Sequence, residues 1–365
     1  MKILLIGEYS NLHWTLGEGL RAAGHEVCVV SGGDFWKNYP NDISIVRRNF
    51  GKWEGVRYMG AILRQLHRFT GYDVVQIINP CFMELKASKN LFLFRFLRKH
   101  NKKVFLGAFG VDHYWVKACT QTDTFRYSDF FVNGQKRETP YTRKEIADWI
   151  GCEKEIANRY MAENCNGIIA CLYEYWASYH PHFPEKTAFI PLPINTDLIR
   201  ERPERIPEKA NFFIGIQRDR SDVKGTDIME RVLDRIATDY PERCTVRKAV
   251  SVPFAEYQQL LDESDILLDQ IYSYTPAMNA LLGMAKGMVA VSGGEPENYA
   301  ILNETELRPI VNVLPDENDI YQKLEQLVLH PERIPDLQQQ SIRYIRKHHD
   351  YIDVAHKYLS FWECH

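Results

Sequence analysis

The sequence predicts a two-domain α/β protein with parallel sheets. Three observations carry this. Short apolar runs alternate with helix-like segments along the chain, a proline-rich charged stretch interrupts the alternation near its middle, and 365 residues exceed what one hydrophobic core usually organises.

The first run, Lys2 to Ile6, ends at Gly7. A helix-like segment from Thr15 to Ala23 follows, then Gly24-His25-Glu26 and a second run from Val27 to Val30, which together read as a βαβ opening. Val74 to Ile78, Val104 to Leu106, Gly167 to Ala170 and Ala188 to Ile190 read as further strands. Gly55 to Phe69, Leu85 to Lys99 and Arg143 to Asn164 read as the intervening helices. Pro203 and Pro207 then disfavour regular structure, so 196–209 reads as a linker after a first domain of residues 1–195.

The alternation restarts in a second domain, 210–336, with strands at Asn211 to Ile216, Cys244 to Ala249, Ile266 to Leu268 and Met288 to Val291. Helices are expected at Thr226 to Asp239, Phe254 to Glu263, Thr275 to Ala285 and Ile320 to Leu329. The last segment, 337–365, is helical in pattern and rich in aromatic residues, and such a helix needs a packing partner in its own domain or back on the first.

A formal charge of only −3 excludes a general preference for polyanions, and no nucleic-acid partner is expected. The eight cysteines include no CxxC pair, which favours reduced structural thiols over a zinc or disulfide framework, so no metal site is expected. The first apolar run is too short for a signal peptide or a membrane span, and a cytoplasmic protein is expected, with the inner membrane face as a further location. That further location comes from Lys86 to Lys103, which holds seven cations and no acid, interleaved with leucine and phenylalanine. Such a helix either rests on anionic lipid as a peripheral contact through 86–103 or covers the sheet with its apolar side.

Chemistry concentrates at strand ends. Gly215 to Asp227 lies between a strand and a helix, the position where open α/β sheets bind ligands, and Arg218, Lys224 and Gly225 suit a phosphate group. The competing reading is a solvated loop in which Asp219, Asp222 and Asp227 neutralise those cations. Ser292 to Glu297 offers Gly293, Gly294 and Glu295 at a second strand end, as an acceptor of sugar hydroxyls or as a simple turn. In the first domain Asp112 and His113 follow a strand beside aromatic residues, where His113 either orients an anion or is a polar surface residue. Gly7 to Leu16 is not a GxGxxG fingerprint, which removes the main support for a nicotinamide enzyme.

In order and spacing these pieces resemble the retaining glycosyltransferases of the GT-B fold, the large group one, family 4-like set that includes lipopolysaccharide sugar transferases. The resemblance runs from Lys2 to Gly7, through Ile190-Pro191-Leu192-Pro193-Ile194-Asn195-Thr196-Asp197, to Lys224-Gly225-Thr226-Asp227 and Met284-Ala285-Lys286-Gly287. It implies two facing Rossmann-like domains with a C-terminal helix crossing back to the first. A nucleoside-diphosphate sugar, as co-substrate rather than bound cofactor, would bind the second domain, and a glycan or lipid-linked acceptor the first. Arg218 and Lys224 match the pair that contacts the donor diphosphate, and His113 falls near the histidine that faces the transferred sugar.

The family's two glutamates, eight positions apart, are replaced by Tyr274 and Leu282. Asn279, Glu295, Glu297 and Asp269 are the nearby polar residues that would compensate. Transfer of a sugar is therefore expected, and a catalytically silent binder or a non-transferring enzyme such as an epimerase is the alternative.

Overall fold

A computed structural model describes residues 1–34, 37–202, 204–250, 252 and 254–365, without the side chains of 254–256 and 258. Pro203, read above as part of the linker, lies outside the described residues. Where the helix expected from Phe254 begins, only the backbone is described.

Two compact units account for the chain: Met1–Ala118 with Lys144–Pro193 and Tyr351–His365, and Cys119–Arg143 with Ile194–Asp350. Strands of the first unit are β1 (Lys2–Ile6), β2 (Glu26–Ser31), β3 (Ile43–Ser44), β4 (Val74–Ile77) and β5 (Lys103–Ala108). Next come β6 (Phe131–Val132) and β7 (Gln135–Lys136), an antiparallel hairpin in the second unit, before the first unit resumes with β8 (Gly167–Ala170) and β9 (Thr187–Phe189). The seven-stranded parallel sheet has the order β3-β2-β1-β4-β5-β8-β9. Its central strands are buried on both faces, which is why β1 and β8 read as apolar runs, with Gln76 the polar exception in β4.

The second sheet is built from β10 (Ala210–Ile216), β11 (Cys244–Val250), β12 (Ile266–Leu268), β13 (Val289–Ser292) and β14 (Val311–Asn312), in the order β11-β10-β12-β13-β14. All its pairings are parallel. Strand order reverses between β10 and β12, which creates a crevice beyond their carboxyl ends. The helix Thr226–Asp239 buries Met229, Val232, Leu233 and Ile236, an i, i+3, i+4, i+7 stripe, against this sheet.

The structure differs from the sequence reading in helix breaks and in the course of the chain between the units. The expected helix 143–164 is two, Pro140–Trp149 and Glu153–Asn164, and the C-terminal segment is also two, Ile334–His348 and Tyr351–Cys364. The first of that last pair belongs to the second unit and the other to the first unit, where buried Trp362 accepts a bond from Lys103 Nζ on its carbonyl at 2.7 Å. The chain crosses between units at Pro193–Ile194, so 196–209, read as a linker, lies in the second unit. Arg202 fastens it there by donating to the carbonyls of Ser264 and Lys286. Residues 119–143, read as first-domain sequence, also lie in the second unit.

Candidate functional site

Gln217 to Lys224 follows β10. The structure makes it helical, a 3-10 turn at Arg218–Arg220 and a short helix Ser221–Lys224, rather than an open loop. Gly225 ends that turn at φ +72°, and a Cβ there would sit 2.3 Å from Ile271 Cγ1. Only glycine adopts that backbone in that space, and the sharp reversal launches the helix Thr226–Asp239.

The two cations go to different partners. Lys224 Nζ lies 2.9 Å from Oδ1 of Asp269, which follows β12. Arg218 is largely exposed and pairs with Glu230 at 3.2 Å. Neither partner is among Asp219, Asp222 and Asp227, the acids of the competing solvated-loop reading, and Asp227 pairs with Arg231 instead. Asp269 is 2% exposed, and its Oδ1 also accepts from Asn279 Nδ2 at 3.1 Å. Tyr257 in turn donates its hydroxyl to Asn279 Oδ1 at 2.8 Å. Tyr257, Asn279, Asp269 and Lys224 thus form a continuous polar chain at the switch point of the second sheet. An ammonium has three donors, so the Asp269 bond leaves two for an anion.

A second cluster flanks the same β12 turn. Gly293, after β13, is packed against the Ser273 carbonyl so closely that a Cβ would fall 1.9 Å from its oxygen. Gly294 donates to Asn312 Oδ1 at 2.8 Å, and the Glu295 amide donates to the Tyr274 carbonyl at 3.0 Å. The buried Glu295 carboxylate is fully engaged: it accepts from Tyr127 Oη and Asn312 Nδ2, each at 2.9 Å, and from Arg126 at 2.7 Å. Arg126 also pairs with Glu297. Tyr274 is buried, its ring stacked on Tyr127 at 4.9 Å, and its hydroxyl accepts from the Arg126 amide at 2.5 Å. Leu282 is exposed.

In the first unit His113 is buried, not a surface residue. Its Nδ1 bonds to the Trp149 carbonyl at 3.0 Å, which assigns the proton to that nitrogen, and Nε2 lies 3.7 Å from Glu155 Oε1. Burial holds the imidazole below its usual pKa, so the ring is neutral near pH 7. Asp112 beside it accepts from Tyr179 Oη at 2.7 Å and from the Trp115 amide at 2.9 Å. Burial pushes its carboxyl up to about 7.

The structure therefore joins Lys224, Gly225 and Asn279 around Asp269, and joins Tyr274, Gly293, Gly294 and Glu295 around Arg126. Arg218 stands apart from both. Sequence reasoning missed Tyr257, Arg126 and Tyr127, whose pairings span long stretches of chain, and named Asp269 only as a spare acid. The signal for Asp269 was an acid directly after a buried strand. Among the described residues no group of three or more His, Cys, Asp or Glu converges to hold a metal, and no helix is long and apolar enough to cross a membrane.

No family model matches the chain, and no curated protein sequence matches it. Solved structures do. Sucrose-phosphate synthase from Thermosynechococcus elongatus is similar over 100% of this chain and 98% of its own, at 12% identity and a TM-score of 0.60. HepE from Anabaena, solved in complex with UDP-glucose, covers 100% of both chains at 10% identity and a TM-score of 0.62. The catalytic domain of starch synthase IV from Arabidopsis thaliana, bound to ADP and acarbose, covers 100% of this chain and 99% of its own at 11% identity and a TM-score of 0.59. At such identities the likeness establishes the fold, and that fold is the two-domain GT-B architecture.

Proposed function

We propose that this chain transfers a glycosyl group from a nucleoside-diphosphate sugar to a glycan or lipid-linked acceptor, with retention at the anomeric carbon. The observation that carries the reading is the Lys224–Asp269–Asn279–Tyr257 chain at the switch point of the second sheet in a GT-B fold. Support also comes from the ligands of two similar structures, UDP-glucose and ADP.

In this reading the donor belongs to the second unit. Lys224 gives its two remaining ammonium hydrogens to the diphosphate, Arg218 joins as a second cation on leaving Glu230, and Gly225 sets the turn that presents Lys224. As the anomeric C–O bond breaks, its electrons go to the departing diphosphate, whose growing charge Lys224 stabilises. The acceptor oxygen attacks the same face, and its proton passes to a phosphate oxygen of the leaving group. His113, neutral and fixed by Trp149, serves as an orienting group and not as a cation.

One observation favours a second reading, a binder or epimerase that does not transfer. The hydroxyl of Tyr274, at the position of the sugar-facing glutamate, is taken by the Arg126 amide, and Leu282 offers nothing to a ribose. Incubation with uridine, guanosine and adenosine diphosphosugars, with and without acceptor glycans, separates the two. Acceptor-dependent release of nucleoside diphosphate supports transfer, whereas binding without release, or an epimerised sugar from donor alone, supports the second reading.

A further inference from the structure

The helix Lys52–Gln65 has two apolar faces. Tyr58 and Ile62, one turn apart, are buried against the first unit. On the opposite side Trp53, Val56, Gly60 and Leu63 recur at i, i+3, i+7 and i+10, and Trp53 is 88% exposed, Val56 65% and Leu63 50%. The preceding loop adds Phe50, 73% exposed. An outward stripe of this kind has no role in packing its own unit.

The loop and helix form one piece. Arg57 Nη2 donates to the Val46 carbonyl at 2.9 Å, the Arg48 amide donates to Glu54 Oε1 at 2.8 Å, and the Arg47 guanidinium sits 4.9 Å from the centre of the Phe50 ring. The charge around the stripe is one-sided. Residues 43–72 hold six Arg or Lys against a single acid, Glu54, in a chain whose formal charge is −3. Glu54 is itself bonded to Arg57, and among the described residues Lys52 and Arg64 form no ion pair. Leu66 and Phe69, in the turn that follows, line a crevice with Leu93, Phe96 and Leu97 of the basic helix Ala87–His100. The two basic segments therefore adjoin.

We infer that the Val46–Leu63 face of the first unit docks on an anionic lipid surface, with Phe50 and Trp53 entering the headgroup boundary and Arg48, Lys52 and Arg64 meeting lipid phosphates. Amphipathic aromatic rings favour that boundary, and flanking cations reach outward to the phosphates while their stems cover apolar surface. A nucleic acid would use the cations but leave Val56 and Leu63 facing water, whereas a bilayer takes up both. The helix Ala87–His100 buries Leu93, Phe94 and Leu97 and leaves Phe92 exposed. The inference is independent of sugar transfer.

Cosedimentation of the full chain with vesicles tests it, using phosphatidylcholine alone and phosphatidylcholine mixed with phosphatidylglycerol. Pelleting is expected with the mixed vesicles at low salt and is expected to fall as salt rises. Phe50→Ala/Trp53→Ala, which removes only exposed groups and leaves the thermal midpoint unchanged, lowers the vesicle partition coefficient by roughly tenfold or more. Arg48→Glu/Lys52→Glu abolishes the preference for phosphatidylglycerol. Wild-type protein that stays in the supernatant with both vesicles, or pelleting that neither variant changes, overturns the inference. So does concentration-dependent dimerisation that Phe50→Ala/Trp53→Ala abolishes, because the face would then belong to a second copy.

Discussion

Lys224 Nζ lies 2.9 Å from Asp269 Oδ1, while Oδ2 of the same buried carboxylate has no hydrogen-bond partner among the described residues. The pair is unequal. Lys224 is partly exposed and can be solvated without Asp269, whereas Lys224 is the only counter-charge of Asp269 among the described residues. Lys224→Ala is therefore expected to destabilise the second unit by about 2–3 kcal/mol, because it strands a buried charge. Lys224→Ala/Asp269→Asn is expected to recover most of that loss. Urea unfolding of both variants checks this, and equal destabilisation would show that the charge is not what the pair protects.

Arg126 fastens residues 119–143 to the second unit through Glu295, Glu297 and the Tyr274 ring. Arg126→Ala is expected to cost roughly 1 kcal/mol globally but to open this segment locally. Hydrogen exchange read by mass spectrometry should accelerate across 119–143 and remain slow in β10 and β12. Unchanged protection in 119–143 would assign the fastening to apolar contacts alone.

Glycines at the two strand ends are not equivalent. Gly225→Ala forces a side chain into φ +72° and against Ile271, a cost of about 1–2 kcal/mol from the backbone alone. Gly293→Ala meets the Ser273 carbonyl at 1.9 Å, and a backbone oxygen yields less readily than an isoleucine side chain. Thermal midpoints are expected to fall in both, further in Gly293→Ala.

Burial raises the Glu8 carboxyl from its ordinary 4.5 to about 8, against the opposing bonds from the His13 and Trp14 amides. The folded state thus holds a proton that the unfolded chain has released. Stability from this group is full below about 4.5 and is lost as pH rises toward 8. Glu8→Gln, which cannot ionise, is expected to flatten the fall in unfolding free energy between pH 5 and 8.5 by roughly a few kcal/mol at most, and Asp112, also raised, adds to the same fall. An unaltered pH slope in Glu8→Gln would place the titration elsewhere.

The elements legible in the sequence were those whose cause is local. β1, β8 and β12 are continuous apolar runs, and the helix Thr226–Asp239 carries its own periodicity and start signal in Gly225. The two-residue strands β3, β6, β7 and β14 are too short to show a period, and tertiary pairing alone defines them. Lys224 was legible for the same reason: a cation and a glycine at a strand end are neighbours in sequence. Its partner Asp269 is 45 residues away, and Arg126 reaches Glu295 across 169, so no spacing rule connects them. The outward stripe of Lys52–Gln65 was hidden because its apolar residues resemble core residues until exposure is known.

The most direct measurement is isothermal titration of the chain with uridine, guanosine and adenosine diphosphates and their sugars. Saturable binding of at least one is expected, weakened about tenfold or more in Lys224→Ala/Asp269→Asn while that variant remains folded. Absence of binding to every nucleotide by the wild-type chain would contradict a nucleoside-diphosphate site at Lys224.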